Sequence, residues 1–142
     1  MVYMRILLQF PEGLKQKGLE LQKKYESEGH TVFLSASPCY GACDIALDEA
    51  RWIKADKIVH FGHNKFVKTS LPIPVEYVPY QIDIDISRIS ELISHLKGIK
   101  TIALTTTVQH IHQIEAMRDA FKKYNIEALT GSGYWAKEAG QV

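Results

Sequence analysis

Two cysteines four residues apart are the residues of this chain best suited to chemistry. Cys39 and Cys43 stand in the segment SPCYGACD, residues 37–44, and they are the only cysteines among 142 residues. A thiolate is both a nucleophile and a metal ligand, and Gly41 allows the backbone to turn sharply or to approach a bound group closely. The spacing favours metal or redox chemistry over a stabilising disulfide.

The alternative interpretation of these cysteines is structural, because cysteine is among the most frequently buried residue types. The neighbouring Gly, Pro and Asp residues favour a functional loop instead. No C-x-x-C or H-x-x-x-H pattern stands nearby to complete a zinc site. If Cys39 and Cys43 serve a metal cluster, further ligands must therefore come from elsewhere.

The segments on either side of the cysteines indicate how the loop is positioned. An apolar, β-branched run at residues 31–34 predicts a strand, and residues 44–53 have a helical pattern. In an α/β protein such a loop opens at the carboxyl edge of the sheet, where ligands bind. Asp44 is placed to cap the helix, and the dipole at the helix start would favour a thiolate beside it.

The rest of the chain alternates between strand and helix patterns. This order, with short connections, predicts a parallel α/β sheet. Right-handed crossovers place strand-to-helix loops on one edge, so we expect residues 11–13, 37–44 and 60–63 to converge. Pro79 should end the fourth strand or place it at the sheet edge. Predicted strands cover residues 4–10, 31–34, 57–61, 75–80, 101–104 and 126–129, and predicted helices cover 14–28, 44–53, 84–97 and 108–124.

An internal repeat with a displacement of roughly 95 residues divides the chain. A strand, a long helix and a second strand occur from Arg5 onward and again from Thr101 onward. We predict a first α/β domain over residues 1–83 and part of a second over residues 84–142. The position equivalent to Cys43 would fall at about the last residue or just past it, which predicts a fragment of a longer protein. The alternative is a complete chain whose second unit packs on the first.

The composition excludes several classes of function. The chain is 46% hydrophobic and 23% charged, which is ordinary for a soluble globular protein with a real core. A net charge of +1 gives no electrostatic attraction to nucleic acid or anionic membrane. No apolar run approaches the ~20 residues of a membrane span, and we expect no targeting segment before the first strand. We expect a cytoplasmic protein without nucleic-acid or membrane partners.

Four segments of the sequence resemble the iron–sulfur enzymes of diphthamide biosynthesis. They are LLQFPEGL at 7–14, PCYGACDI at 38–45, ADKIVHFGH at 55–63 and GQV at 140–142, where GQV looks like the start of a motif that continues to a cysteine. The resemblance implies three related α/β domains that each supply one cysteine to a single 4Fe–4S cluster. Cys43 matches the first ligand, Cys39 is not expected to be one, and the third domain is absent.

The resemblance also implies a reaction. Three thiolates leave one iron open to S-adenosylmethionine. Electron transfer cleaves the bond between sulfur and the aminocarboxypropyl group, and the resulting radical adds to C2 of a histidine imidazole on translation elongation factor 2. The family implies a homodimer in single-gene organisms. Two alternatives are a quinolinate-synthase-like iron–sulfur dehydratase and a non-catalytic partner subunit of a diphthamide synthase.

Residues at the predicted sheet edge are the candidates for cofactor binding, and none is assigned as catalytic. We expect His60 and His63 to contact S-adenosylmethionine or to shape the cluster environment. The alternative is that each imidazole simply forms hydrogen bonds with neighbouring backbone groups. A helix start at Gln109 and His110 would offer N–H groups to a carboxylate. Tyr134 and Trp135 are candidates for stacking on adenine or for a core. The full set is Pro11, Glu12, Gly13, Tyr40, Gly41, His60, Gly62, His63, Gln109 and His110.

Overall fold

The computed structural model describes residues 3–65, 70–131 and 140. The chain divides into two compact units, Met1–Tyr80 and Gln81–Val142. Each unit contains a parallel sheet, which confirms the predicted α/β class. The elements are β1 (Arg5–Gln9), α1 (Gly18–Ser27), β2 (Thr31–Leu34), α2 (Leu47–Trp52), β3 (Lys57–Phe61), β4 (Val75–Val78), α3 (Ile89–Ile93), β5 (Thr101–Ala103), α4 (Ile114–Lys122) and β6 (Glu127–Leu129).

The first unit is built on a four-stranded parallel sheet with the order β2-β1-β3-β4. The register places Leu7 of β1 opposite Phe33 of β2 and Ile58 of β3. Because β1 and β3 are apolar on both faces, they occupy the two central positions and are almost wholly buried. The edge strand β4 ends at Val78, directly before Pro79, as predicted from the missing N–H of proline.

The helices begin later than their apolar patterns predicted. In place of the single helix predicted at residues 14–28, the structure has a 3-10 turn at Glu12–Lys17, and α1 starts only at Gly18. The prediction that Asp44 caps α2 is wrong, because α2 starts at Leu47 and the Asp44 carboxylate accepts a hydrogen bond from the Tyr40 N–H instead. The expectation that the dipole at the start of α2 favours a thiolate therefore no longer applies. Among the described residues, no helix has the length and apolarity needed to cross a membrane.

The second unit repeats the βαβ plan of the first with a smaller sheet, in which β5 pairs only with β6 among the described strands. Arg5 pairs with Thr31 in the first unit, and Thr101 pairs with Glu127 in the second. Both pairs are 26 residues apart, and the second follows the first by 96 residues, which confirms the internal repeat. The core of this unit lies under α4, whose apolar face buries Ile114, Met117 and Phe121.

Candidate metal and cofactor site

The carboxyl ends of β1 and β3 and the cysteine loop, residues 37–44, meet at one edge of the first sheet. Gln9, the last residue of β1, connects them. Its Nε2 donates to the Asp44 carbonyl at 2.6 Å, and its Oε1 accepts from the Ala46 N–H at 3.1 Å. The same Oε1 lies 3.0 Å from Nδ1 of His60 in β3. The predicted convergence is confirmed for residues 37–44 and 60–63. Lys15, two residues after the first loop, donates to the carbonyl of Ala36, one residue before the cysteine loop, at 3.2 Å.

The cysteine loop is held by polar contacts along its length. Glu49 of α2 accepts two hydrogen bonds from Ser37, one from the backbone N–H at 3.1 Å and one from the hydroxyl at 2.5 Å. The Asp44 N–H donates to the Gly41 carbonyl at 3.0 Å. A Cβ placed on Gly41 would meet no atom within 4 Å. The loop is therefore fixed at its start and end, with open space beside its glycine.

The two cysteines occupy opposite environments in this loop. Both are free thiols, with Cys39 buried and Cys43 exposed. Cys39 is 2% exposed, and its Sγ lies 4.0 Å from His60 Nε2. Burial raises the pKa of the Cys39 thiol, and the negative charge of Asp44 acts in the same direction. Cys43 is therefore the cysteine of this loop whose thiol is open to solvent.

The histidines of β3 and its following turn are held in their neutral form. His60 is fully buried, and its Nε2 lies 3.1 Å from His63 Nδ1. Burial, with the neighbouring His63, lowers the pKa of His60 to about 4, and burial also lowers the pKa of His63. Since Gln9 Oε1 can only accept, the proton of neutral His60 lies on Nδ1. The Nε2 lone pair then faces Cys39 and His63.

The other predicted residues of the first unit lie around this edge with different exposure. Glu12 is exposed and pairs with Lys15 at 2.6 Å. Gly13 is exposed as well, and Pro11 directly precedes the 3-10 turn. Tyr40 is 81% exposed. Gly62 directly follows β3, and its N–H donates to the Val78 carbonyl at 2.9 Å. Its φ of +79° lies in the left-handed region that favours glycine.

Gln109 and His110 belong to the second unit, at the start of the helical segment as predicted. His110 is the N-terminal cap of the 3-10 turn Ile111–Gln113, which leads directly into α4 at Ile114, and Gln109 lies in the turn before it. The Gln109 carbonyl accepts from the Ile82 N–H at 2.8 Å, and His110 Nδ1 lies 2.8 Å from the Ile82 carbonyl. Tyr134 and Trp135, and Gln141 and Val142 of the GQV segment, lie outside the described residues.

Sequence reasoning missed Gln9 and the surroundings of Cys39. Gln9 is 1% exposed, and the signal that could have revealed it is a polar residue at the end of an otherwise apolar buried strand. Cys39, His60 and His63 form a group whose ligand atoms all lie within 4.8 Å of one another. Their separation along the chain hides this group, because the loop follows β2 and the histidines lie in and after β3, and only the pairing of both strands with β1 brings them together.

The fold and site define a class: a repeated α/β protein with an accessible cysteine at the carboxyl edge of a parallel sheet. Residues 10–142 match the sequence model of the family described as putative diphthamide synthesis protein. The chain belongs to this family, and the predicted resemblance is confirmed.

Relatives named as enzymes of this family match most of this chain. It is 34% identical over 131 residues to the 2-(3-amino-3-carboxypropyl)histidine synthase of Pyrococcus horikoshii, covering 91% of the chain and 38% of that relative. It is 32% identical over 122 residues to subunit 1 of the synthase of Schizosaccharomyces pombe, covering 83% and 28%. The crystal structure of Dph2 from Pyrococcus horikoshii with a 4Fe–4S cluster superposes with a TM-score of 0.79 at 34% identity, covering 97% of the chain and 42% of that structure. The chain thus spans less than half the length of these relatives.

Proposed function

We propose that this chain is part of a 2-(3-amino-3-carboxypropyl)histidine synthase, with its first α/β domain at residues 1–83 and part of its second at 84–142. The longer enzyme transfers the 3-amino-3-carboxypropyl group from S-adenosylmethionine to a histidine of translation elongation factor 2. The observation that carries the proposal is the exposed Cys43 thiol at the carboxyl edge of the sheet, in a chain of this family. Because its protein substrate takes part in translation, we propose that the enzyme acts in the cytoplasm. We also propose that it acts as a homodimer.

Cys43 fits the role of a ligand to a 4Fe–4S cluster, such as the one named for the Pyrococcus horikoshii structure. Iron–sulfur clusters are held by cysteine thiolates, and Cys43 presents its thiol to solvent. The buried Cys39 faces His60 instead, so we assign only Cys43 to the cluster. The remaining ligands would come from other domains of the longer protein. When bound, the cluster supplies the electron that cleaves S-adenosylmethionine.

The residues of this chain position the ligand and leave room for a substrate. Gln9 and Glu49 fix the loop on either side of Cys43 through backbone and hydroxyl contacts, which orients the thiol before anything binds. The open space at Gly41 and the exposed ring of Tyr40 are available to S-adenosylmethionine. The turn at Pro11, Glu12 and Gly13 borders the same edge. His60 is fully buried, which favours a role in shaping this environment rather than in touching the cofactor.

The experiment that tests the proposal is anaerobic reconstitution of the longer protein that contains this chain. We expect a reduced EPR signal typical of a 4Fe–4S cluster that S-adenosylmethionine perturbs. Cys43→Ala should abolish the signal, and the matched variant Cys39→Ala should retain it. A signal that survives Cys43→Ala, or that depends on Cys39 alone, would contradict the assignment.

A product assay separates the proposed reaction from its alternatives. With S-adenosylmethionine labelled in the aminocarboxypropyl group, we expect label on elongation factor 2. A dehydration product in place of label transfer would support a quinolinate-synthase-like dehydratase. A reconstituted cluster without label transfer, with activity restored by a second subunit, would support a partner role, and one of the curated relatives is indeed named as a subunit.

A further inference from the structure

We propose that Cys39, His60 and His63 form a second metal site, distinct from the Cys43 position and independent of the proposed function. The ligand atoms of the three side chains lie within 4.8 Å of one another. One thiolate with two imidazoles is a donor set that Zn²⁺ and similar borderline divalent transition metal ions prefer over Mg²⁺ or Ca²⁺. The structure therefore points to a mononuclear, zinc-type ion between the cysteine loop and β3.

The distances between the donors are close to those of a formed site. Bond lengths of about 2.0–2.1 Å for Zn–N and 2.3 Å for Zn–S in a tetrahedron place two nitrogens about 3.3 Å apart and nitrogen and sulfur about 3.6 Å apart. His60 Nε2 lies 3.1 Å from His63 Nδ1 and 4.0 Å from Cys39 Sγ. The two nitrogens are thus already at ligand spacing. The sulfur lies about half an ångström too far from His60 Nε2, and because the three donor atoms lie within 4.8 Å of one another, it would move by up to about 1.2 Å to reach ligand spacing from His63 as well.

The surroundings of His60 hold it in the orientation that a metal requires. Gln9 Oε1 accepts from His60 Nδ1, and its amide is oriented by the Asp44 carbonyl and the Ala46 N–H. Metal-bound histidines characteristically donate their second N–H in this way, which fixes the tautomer and the ring. Without a metal, His63 Nδ1–H would donate a hydrogen bond to His60 Nε2. That bond does not explain why the Cys39 thiol also lies against the lone pair of His60 Nε2.

The charge and access of the site also suit a divalent ion. A thiolate and two neutral imidazoles leave a net charge of +1 on a bound divalent ion, and the nearby Asp44 carboxylate acts electrostatically on all three ligands. The Gly41 backbone acts to lower the pKa of the Cys39 thiol, against the larger effect of burial, and so favours the thiolate that a metal needs. His63 is only partly buried, so solvent reaches that side and can supply a fourth ligand. The ion would tie the cysteine loop to β3.

The test uses Co²⁺ as a spectroscopic probe on the 142-residue chain, whose thiolates can only be Cys39 or Cys43. We expect one Co²⁺ per chain, with a sulfur-to-cobalt charge-transfer band and tetrahedral d–d bands that Zn²⁺ displaces. The band should persist in Cys43→Ser and vanish in Cys39→Ser. His63→Ala should weaken Zn²⁺ binding by about tenfold or more, while the control His95→Ala, an exposed histidine of the second unit, should leave it unchanged.

A second readout covers the case in which Cys39→Ser fails to fold. In the unmodified chain under mild denaturant, Zn²⁺ should protect one of the two thiols from alkylation, and peptide mapping should identify it as Cys39. His63→Ala should remove that protection. Absence of stoichiometric Co²⁺ uptake, a thiolate band that follows Cys43, or protection that does not involve Cys39 would each overturn the proposal.

Discussion

The two units share one βαβ plan but differ at the carboxyl ends of their strands. In the first unit, β1 and β3 are buried on both faces, and their last polar residues, Gln9 and His60, are 1% and 0% exposed. In the second, β5 and β6 leave most of their side chains exposed, and His112 pairs with the exposed Asp83 at 2.7 Å. A strand that is buried on both faces can carry polar side chains only if each of them has a hydrogen-bond partner in the fold. The same repeat therefore gives an enclosed polar site in one unit and a solvated edge in the other.

The largest expected difference between the units concerns apolar burial. Leu7→Ala removes a side chain that is 1% exposed in the core of β1, β3 and α2, and we expect a loss of about 3 kcal/mol in the free energy of unfolding. The matched change Ile102→Ala, at a partly buried position of β5, should cost about 1 kcal/mol because less area is lost. Hydrogen exchange resolved by unit measures both. Equal losses would contradict the comparison.

The enclosed histidines should make the first unit sensitive to acid. His60 has a pKa of about 4 when folded and about 6.5 when unfolded. The unfolded state therefore binds more protons between these values, and stability is lost as pH falls from about 6.5 to about 4. The loss is at most about 3 kcal/mol from His60 in metal-free protein, and the lowered pKa of His63 acts with the same sign.

Chemical denaturation across this pH range, with NMR titration of the imidazoles, measures the effect. The control is His95→Gln, at an exposed position of the second unit, and it should leave the acid-induced loss of stability in the first unit unchanged. A His60 resonance that titrates near pH 6.5, or a flat stability profile from pH 6.5 to 4, would contradict the enclosed neutral histidine.

The side chain of Gln9 joins the end of the cysteine loop to β3 through hydrogen bonds. Gln9→Met keeps the length of the side chain but leaves the Ala46 N–H and the Asp44 carbonyl without their partner, so we expect a loss of about 2 kcal/mol. The control Gln22→Met lies on α1, where the side chain donates an exposed hydrogen bond to Glu26 at 2.8 Å, and it should change stability by less than about 0.5 kcal/mol. Urea denaturation compares the two, and equal effects would show that the Gln9 contacts do not organise the loop.

In the second unit, we expect stability to depend on the backbone conformation at Gly140. Gly140 has a φ of +87°, and a Cβ there would run into the Ile114 side chain. Its carbonyl accepts from the Thr106 N–H and its N–H donates to the Gly131 carbonyl, each at 2.7 Å. Gly140→Ala should therefore destabilise this unit by about 1–2 kcal/mol. Gly131→Ala, where a Cβ meets no atom within 4 Å, should be close to neutral, and a larger effect there in thermal denaturation would contradict this account.

Much of the fold could be predicted from the sequence because its signals are local. The continuous apolar runs of β1 and β3 indicated strands buried on both faces, and their spacing from the later strands revealed the repeat. The helix starts were less predictable, because loop contacts compete with capping. Asp44 bonds to Tyr40 within its own loop, and α2 begins three residues further on.

Within the site, the sequence alone was sufficient to single out the cysteine loop, its place after a strand and its likeness to one family. Only the tertiary structure decided that Cys39 is enclosed while Cys43 is exposed, and that Gln9 sets the tautomer of His60. The reason is physical. Exposure, tautomer and donor geometry depend on atoms that are distant along the chain, and only the pairing of β2 and β3 with β1 brings those atoms close together.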